Sequence, residues 1–190
     1  MTRGSLVVLL ALAMKPRGPT PEEQALRILH LVHQDVAWSA ASRVAQDLTG
    51  DGVPEIALPG SSPNKLAIGI IVGPVGPLSK MMVLSWSVEL LGGVACASHM
   101  TLEVEDPHLP ADLWGCAATD MSTFCEDNRT LAAALRAASA RGTKAVSFRA
   151  PGCPSVHAYW DARTENLGWW RDLSASSLTE VRPVVLQSPR

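Results

Sequence analysis

Charge is scarce in this chain. Asp, Glu, Lys and Arg make up 18% of its 190 residues, below the usual quarter, and the formal net charge is −2. With no excess of either sign, the chain lacks the electrostatic footprint of a protein that binds nucleic acid or an anionic membrane. The uncharged apolar stretch from Leu6 to Met14 falls short of the roughly 20 residues a helix needs to cross a bilayer. None of the cysteines forms a Cys-x-x-Cys pair, which argues against a zinc knuckle or a thioredoxin-type redox site. No Gly-x-Ser-x-Gly elbow is present to present a nucleophilic serine. Gly73, Gly76, Gly92 and Gly93 lack the spacing of a phosphate loop opening a helix. Tyrosine occurs once, as Tyr159, and the aromatic content rests mainly on six Trp.

What is present suits one compact domain. Apolar residues reach 47%, and 190 residues are enough to bury a core. Arg3, the run from Leu6, and Ala11-Leu12-Ala13 at its end read as a secretory signal peptide over residues 1–13. Residues 14–20, rich in Pro and Gly, follow as a linker; residues 21–173 form the domain, and 174–190 a loosely ordered tail. Export fits the cysteines, since an even count in an oxidising compartment predicts two disulfides. Of the three connectivities, Cys116 with Cys125 closes the shortest loop and is favoured, leaving Cys96 with Cys153.

The segment with the most specific chemistry is Asp47-Leu48-Thr49-Gly50-Asp51-Gly52-Val53-Pro54-Glu55. Side-chain oxygens fall at loop positions 1, 3, 5 and 9, as Asp47, Thr49, Asp51 and Glu55. Gly52 stands at position 6, where a calcium loop turns sharply, and Val53 at position 7 offers its carbonyl. A hard cation takes six to eight oxygens, and odd spacing in a tight loop points them at one centre. Position 12 is Leu58, not the Glu of an EF-hand, and Ile56-Ala57-Leu58 reads as a strand stopped by Pro59-Gly60. The metal ligands expected are therefore Asp47, Thr49, Asp51, Val53 and Glu55, and the cofactor expected is calcium.

This loop running into a strand resembles the Asp-x-Asn/Asp-Gly-Asp-Gly-x-x-Asp loop of FG-GAP and VCBS-type, integrin-like extracellular proteins. The likeness covers about a dozen residues. Thr49 and Glu55 depart from the pattern, each keeping an oxygen. The resemblance implies an extracellular calcium-stabilised module, but a propeller needs several blades and one loop cannot supply them.

The rest of the chain predicts an α+β fold, mainly an antiparallel meander with an N-terminal helix and a second short helix. Thr20-Pro21-Glu22-Glu23 has a cap, a proline at the first helical position and a capping-box glutamate, starting a helix over 21–36. Leu66 to Val72 keeps apolar residues on both faces, as in a strand covered on both sides. Met82, Leu84, Trp86 and Val88 alternate with polar residues, as do Met100, Leu102 and Val104, so these join one meander. Residues 131–140 form the second helix, capped by Asn128 or Thr130 and stopped by Gly142.

Ser155–Trp160 and Leu167–Arg171 form a hairpin. Its text, Val-His-Ala-Tyr-Trp-Asp…Leu-Gly-Trp-Trp-Arg, is similar to C-terminal hairpins of small secreted bacterial proteins with one aspartate loop and undefined activity. Strand alternation sends Tyr159 and Trp160, and likewise Trp169 and Trp170, to opposite faces. One large aromatic then faces out unless a second layer covers it, so Tyr159, Trp169 and Trp170 are candidate binding residues for a protein or carbohydrate partner. The resulting reading is a periplasmic or secreted non-enzymatic module, binding or structural. The alternative is a secreted hydrolase, marked by a cleft with a perturbed carboxylate or His away from Asp47. No nucleic-acid partner and no membrane span in the mature chain are expected.

Overall fold

The computed structural model describes residues 18–76, 79–98, 100–108 and 121–171. The predicted signal segment, most of the linker, Cys116 and the tail from 174 lie outside the described residues. Among the described residues, nine strands form two antiparallel sheets. The first holds β1 (Ala37–Trp38), β2 (Val44–Gln46), β3 (Glu55–Ser62), β4 (Lys65–Val72) and β5 (Lys80–Ser87), in the order β1-β3-β4-β5 with β2 also on β3. The second runs in chain order: β6 (Thr101–Glu105), β7 (Ala145–Arg149), β8 (Val156–Asp161) and β9 (Asn166–Arg171). The helices among the described residues are α1 (Pro21–Val32), α2 (Val94–Ala97) and α3 (Thr123–Ala140).

Strand parity builds four layers from these elements. Ala57, Leu66, Ile68 and Ile70 of the first sheet meet Val146, Phe148, Val156 and Ala158 of the second, making the central core. On the other face of the first sheet, Ile56, Leu58, Ala67 and Ile71 pack under Ala25 and Leu29 of α1. On the other face of the second sheet, Ala145, Tyr159 and Trp170 pack under Ala132 and Leu135 of α3. The order is helix, sheet, sheet, helix. A strand in such a stack is apolar on both faces, which is why β4 does not alternate. Gly69 of β4 is required by the layering, because a Cβ there would come within 2.5 Å of the Leu29 side chain.

The α+β class, the antiparallel sheets and the capped N-terminal helix are as the sequence predicts. Thr20 Oγ accepts from the Glu23 amide, and the Glu23 carboxylate accepts from the Thr20 amide at 2.9 Å, completing the capping box. Four details differ. First, α1 ends at Val32, because His33 leaves helical geometry while its N–H still reaches the Leu29 carbonyl at 2.8 Å. Second, β6 does not extend the first meander but opens the second sheet, the chain crossing over at Gly92 and Gly93, both with positive φ. Third, β3 continues through Pro59 and Gly60. β1 pairs with Gly60 and Ser61, β2 with Glu55 to Ala57, so Pro59 sits at the break between them, where no ladder donor is needed. Fourth, α3 begins at Thr123 with Ser122 as its cap, placing Asn128 and Thr130 inside the helix.

Cys96 and Cys153 form a disulfide with 5.7 Å between their Cα atoms, tying α2 to the β7–β8 turn. Cys125 is also disulfide-bonded, while its expected partner, Cys116, lies outside the described residues.

Candidate functional site

The Asp47–Glu55 loop joins β2 to β3 at one end of the sandwich. Its carboxylates are engaged by backbone donors. Asp47 accepts from the amide of Gly50 through Oδ1 at 2.6 Å and from that of Gly52 through Oδ2 at 2.9 Å. Asp51 Oδ1 accepts from the Val53 amide at 2.8 Å, an Asx turn. Gly50 and Gly52 have φ of +80° and +86°, so the sharp turn expected at Gly52 is formed by glycines that tolerate it. Gly50 also lies against the α3–β7 corner, where a Cβ would come within 2.7 Å of Thr143 Cγ2.

Glu55 takes a different direction. It is on the inner face of β3 and fully buried. Its Oε2 accepts from the amides of Leu48 and Thr49 at 2.6 and 3.0 Å, and its Oε1 from the Thr49 hydroxyl at 3.2 Å and the Gly73 amide at 3.4 Å. Of the five ligands expected from the sequence, Thr49 and Glu55 thus bond to each other and face inward. Asp47 is half-buried, Asp51 is exposed, and the Val53 amide is held to Asp51. Among the described residues, no group of three or more His, Cys, Asp or Glu is gathered as a metal centre. As donors to a cation, Asp47, Asp51 and the Val53 carbonyl fall short of six oxygens, so water would have to complete the shell.

The aromatic hairpin is covered. Tyr159 and Trp170, two of the three residues picked as a platform, are buried at 7% and 4% exposure beneath α3, which is the second layer that alternation left open. Trp169 is half-buried on the opposite face, where its ring meets Trp86 edge-on at 5.9 Å between centroids. These positions assign the hairpin aromatics to packing on both sides of the sheet, not to one exposed surface. Gly168 permits this, since a Cβ there would collide with the Tyr159 ring at 2.4 Å.

Beside Trp170 the second sheet carries a polar network that sequence reading missed. His157 Nδ1 and Glu105 Oε1 lie 2.5 Å apart, and the other oxygen of Glu105 is held by the Arg149 guanidinium. Ser147 Oγ donates to Glu105 Oε2 at 3.3 Å and accepts from Arg149 Nε at 3.1 Å. His157 is 2% exposed and stacks on the Trp170 ring, with centroids 4.5 Å apart and planes 7° apart. Burial alone would raise the Glu105 pKa. The hydrogen bond and charge of His157, joined by those of Arg149, outweigh it and hold the carboxyl below its ordinary value. The available signal was parity: Glu103 and Glu105 share one face of β6, and His157 and Tyr159 one face of β8. Only the strand register, with Ser147 opposite both Glu103 and His157, brings them into a row.

No protein-family model, no curated protein and no solved structure matches this chain.

Proposed function

We propose that this protein is an exported, non-enzymatic module, built for binding or structural support, whose Asp47–Glu55 loop responds weakly to calcium. The observation that carries the reading is the Cys96–Cys153 disulfide. It ties the crossover between the sheets to the β7–β8 turn, and such bonds persist in oxidising compartments. Among the described residues no helix is long and apolar enough to cross a membrane. Within the loop the roles divide. Glu55 supports the turn from behind, while the half-buried Asp47, the exposed Asp51 and the backbone carbonyl that Val53 offers at position 7 are the remaining oxygens. A site completed by water belongs with extracellular sites that bind calcium at about 10⁻⁴–10⁻³ M.

Two measurements on protein recovered from an exporting host test the reading. Thiol titration under denaturing conditions should find no free cysteine, and reduction should lower stability by roughly 2–5 kcal/mol per bridge. The melting temperature should rise between chelator and ~10 mM calcium, and Asp51→Ala should remove the rise; at a dissociation constant of ~10⁻⁴ M the gain is about 2.7 kcal/mol. Two free thiols would remove the export argument. Identical melts for wild type and Asp51→Ala at every calcium concentration would reduce the loop to a turn.

A hydrolase has one specific observation in its favour, the Glu105–His157 pair with its lowered carboxyl pKa. Against it, His157 is sealed beneath Trp170, and the hydroxyl of the network, Ser147, gives its proton to Glu105. A general base must reach the proton it abstracts, so the network suits packing better than catalysis.

A further inference from the structure

The first sheet ends on β5, and among the described residues that edge is open. The Val88 amide donates to the Asn64 carbonyl at 3.0 Å, in line with the β4–β5 register. In an antiparallel ladder every second residue turns both backbone groups to the same neighbour, so Trp86, Leu84 and Met82 also face β4. Met81, Val83, Ser85 and Ser87 then turn their N–H and C=O groups outward, where no partner strand lies among the described residues. The register runs unbroken from Lys80 to Ser87, so no bulge twists this edge away. Other outer strands are guarded: β1 and β2 are short, and β6 carries Glu103 and Glu105. The one charge on β5, Lys80, is turned to the second sheet. Its Nζ donates to the Glu165 carbonyl at 2.9 Å and lies 5.1 Å from the Trp160 ring centre. β9, the outer strand of the second sheet, lies alongside, with Arg171 Nη1 donating to the Leu90 carbonyl at 2.7 Å. Leu84 of β5 and Leu167 and Trp169 of β9 form a half-buried apolar rim next to the central core.

We propose that β5 is a self-association edge, on which a second copy of this chain pairs its own β5 antiparallel about a two-fold axis at Leu84. The strand is complementary to itself in that register. Met81 lies opposite Ser87 of the second copy and Val83 opposite Ser85, and each such pair exchanges two hydrogen bonds. Every outward N–H and C=O of the strand then has a partner. A slip of two residues either way leaves the groups of an end residue unpaired. No like charges come opposite one another, since Lys80 falls opposite Val88. Leu84 meets its own counterpart on the face of the central core, so the apolar rim is covered as the sheet is extended. A self-pairing of β6 about Glu103 would instead set carboxylate against carboxylate. One strand edge is small beside the ~1,200–2,000 Å² of a stable interface, so the association is concentration-dependent. It goes beyond the reading of the chain as an exported module and depends on neither calcium nor the disulfides.

The test uses the purified, disulfide-intact chain. Sedimentation equilibrium from about 1 µM to 1 mM should show a monomer passing into a dimer. Amide exchange followed by NMR over the same range should slow at Met81, Val83, Ser85 and Ser87 as the dimer forms. Met82, Leu84 and Trp86, already bonded to β4, should be protected throughout. Ser85→Pro removes an outward donor without touching the β4 ladder and should weaken association at least about tenfold. Ser85→Lys/Ser87→Lys alters two exposed side chains only and should do the same by gathering positive charge around the axis. A monomer at every concentration, a dimer whose outward amides exchange as fast as in the monomer, or unchanged association in both variants would overturn the proposal. So would protection of those amides in a chain that stays monomeric, because another segment of the same chain would then cover the edge. Thiol content and calcium-dependent melting are read separately, so failure here leaves the export and loop arguments standing on their own measurements.

Discussion

Glu55 Oε2 accepts the backbone N–H of Leu48 at 2.6 Å, across the turn that the two residues bracket. The contact makes Glu55 the internal brace of the loop. Four donors converge on its two oxygens, three of them from Leu48 and Thr49 at the start of the turn and one from Gly73 on the neighbouring connection. Glu55→Ala should therefore destabilise the fold by about 3 kcal/mol, because buried amides lose their acceptor. The loss should be the same with chelator and with calcium. A variant that melts like wild type in chelator but loses only the calcium response would make Glu55 a ligand and not a brace.

Much of the architecture was legible in local sequence. The Thr20 capping box, the double-faced apolar strand β4 and the hairpin after Ser155 each carry their own short-range signal, and each formed. Partner choice did not carry such a signal. The alternation of Leu102 and Val104 specifies a strand but not its sheet, so the single meander it predicts is divided between two sheets. Pro59 reads as a strand end in local sequence because the break in the neighbouring strand that admits it is set by tertiary pairing. The candidate site suffered likewise. Odd spacing in the Asp47 loop predicted convergence, yet the parity of β3 turned Glu55 inward, where the buried amides of Leu48 and Thr49 needed an acceptor. The Glu105–His157 row was hidden because it depends on the register of three strands.

Trp170 shows what covering by α3 means for stability. Its ring is stacked on His157 and packs against Tyr159, Ala132 and Leu135. Trp170→Ala should cost about 3–5 kcal/mol, the range of buried large-to-small changes. An exposed platform residue would cost less than about 0.5 kcal/mol. Urea denaturation of the variant and wild type separates the two outcomes, and the smaller value would return Trp170 to the surface.

Glu105 predicts a specific acid sensitivity. Burial is the largest single influence and raises its pKa, but the hydrogen bonds and charges of His157 and Arg149 together outweigh it and lower the folded value from the ordinary 4.5. A lowered pKa contributes stability that is present above the unfolded value and disappears as pH falls through the folded value. Wild type should thus lose stability on acidification below pH ~4.5, where the unfolded carboxyl begins to bind its proton. Glu105→Gln should be less stable than wild type at pH 7 and should show a shallower fall in that window. Parallel curves for the two proteins from pH 6 to pH 2 would mean that the network contributes no proton-linked stability.

The single tyrosine supplies a clean test of the layer beneath α3. Tyr159 is the chain's only phenol, so its ionisation can be read from the whole protein by absorbance near ~295 nm without assignment. Burial first, and the charge of Asp161 second, push its pKa from 10.0 up to about 12. For an acid whose folded pKa is raised, the stabilising contribution is intact below the unfolded value and is lost as pH climbs through the folded one. The native protein should show little phenolate at pH 10.5, while the same protein in denaturant should already be more than half ionised. Raising the pH from 10 toward 12 should also lower the melting temperature of wild type more than that of Tyr159→Phe, which keeps the ring against Trp170 and Gly168 but has no proton to lose. A native titration centred at pH 10 would place Tyr159 in solvent, and with it would go the assignment of α3 as the cover of the second sheet.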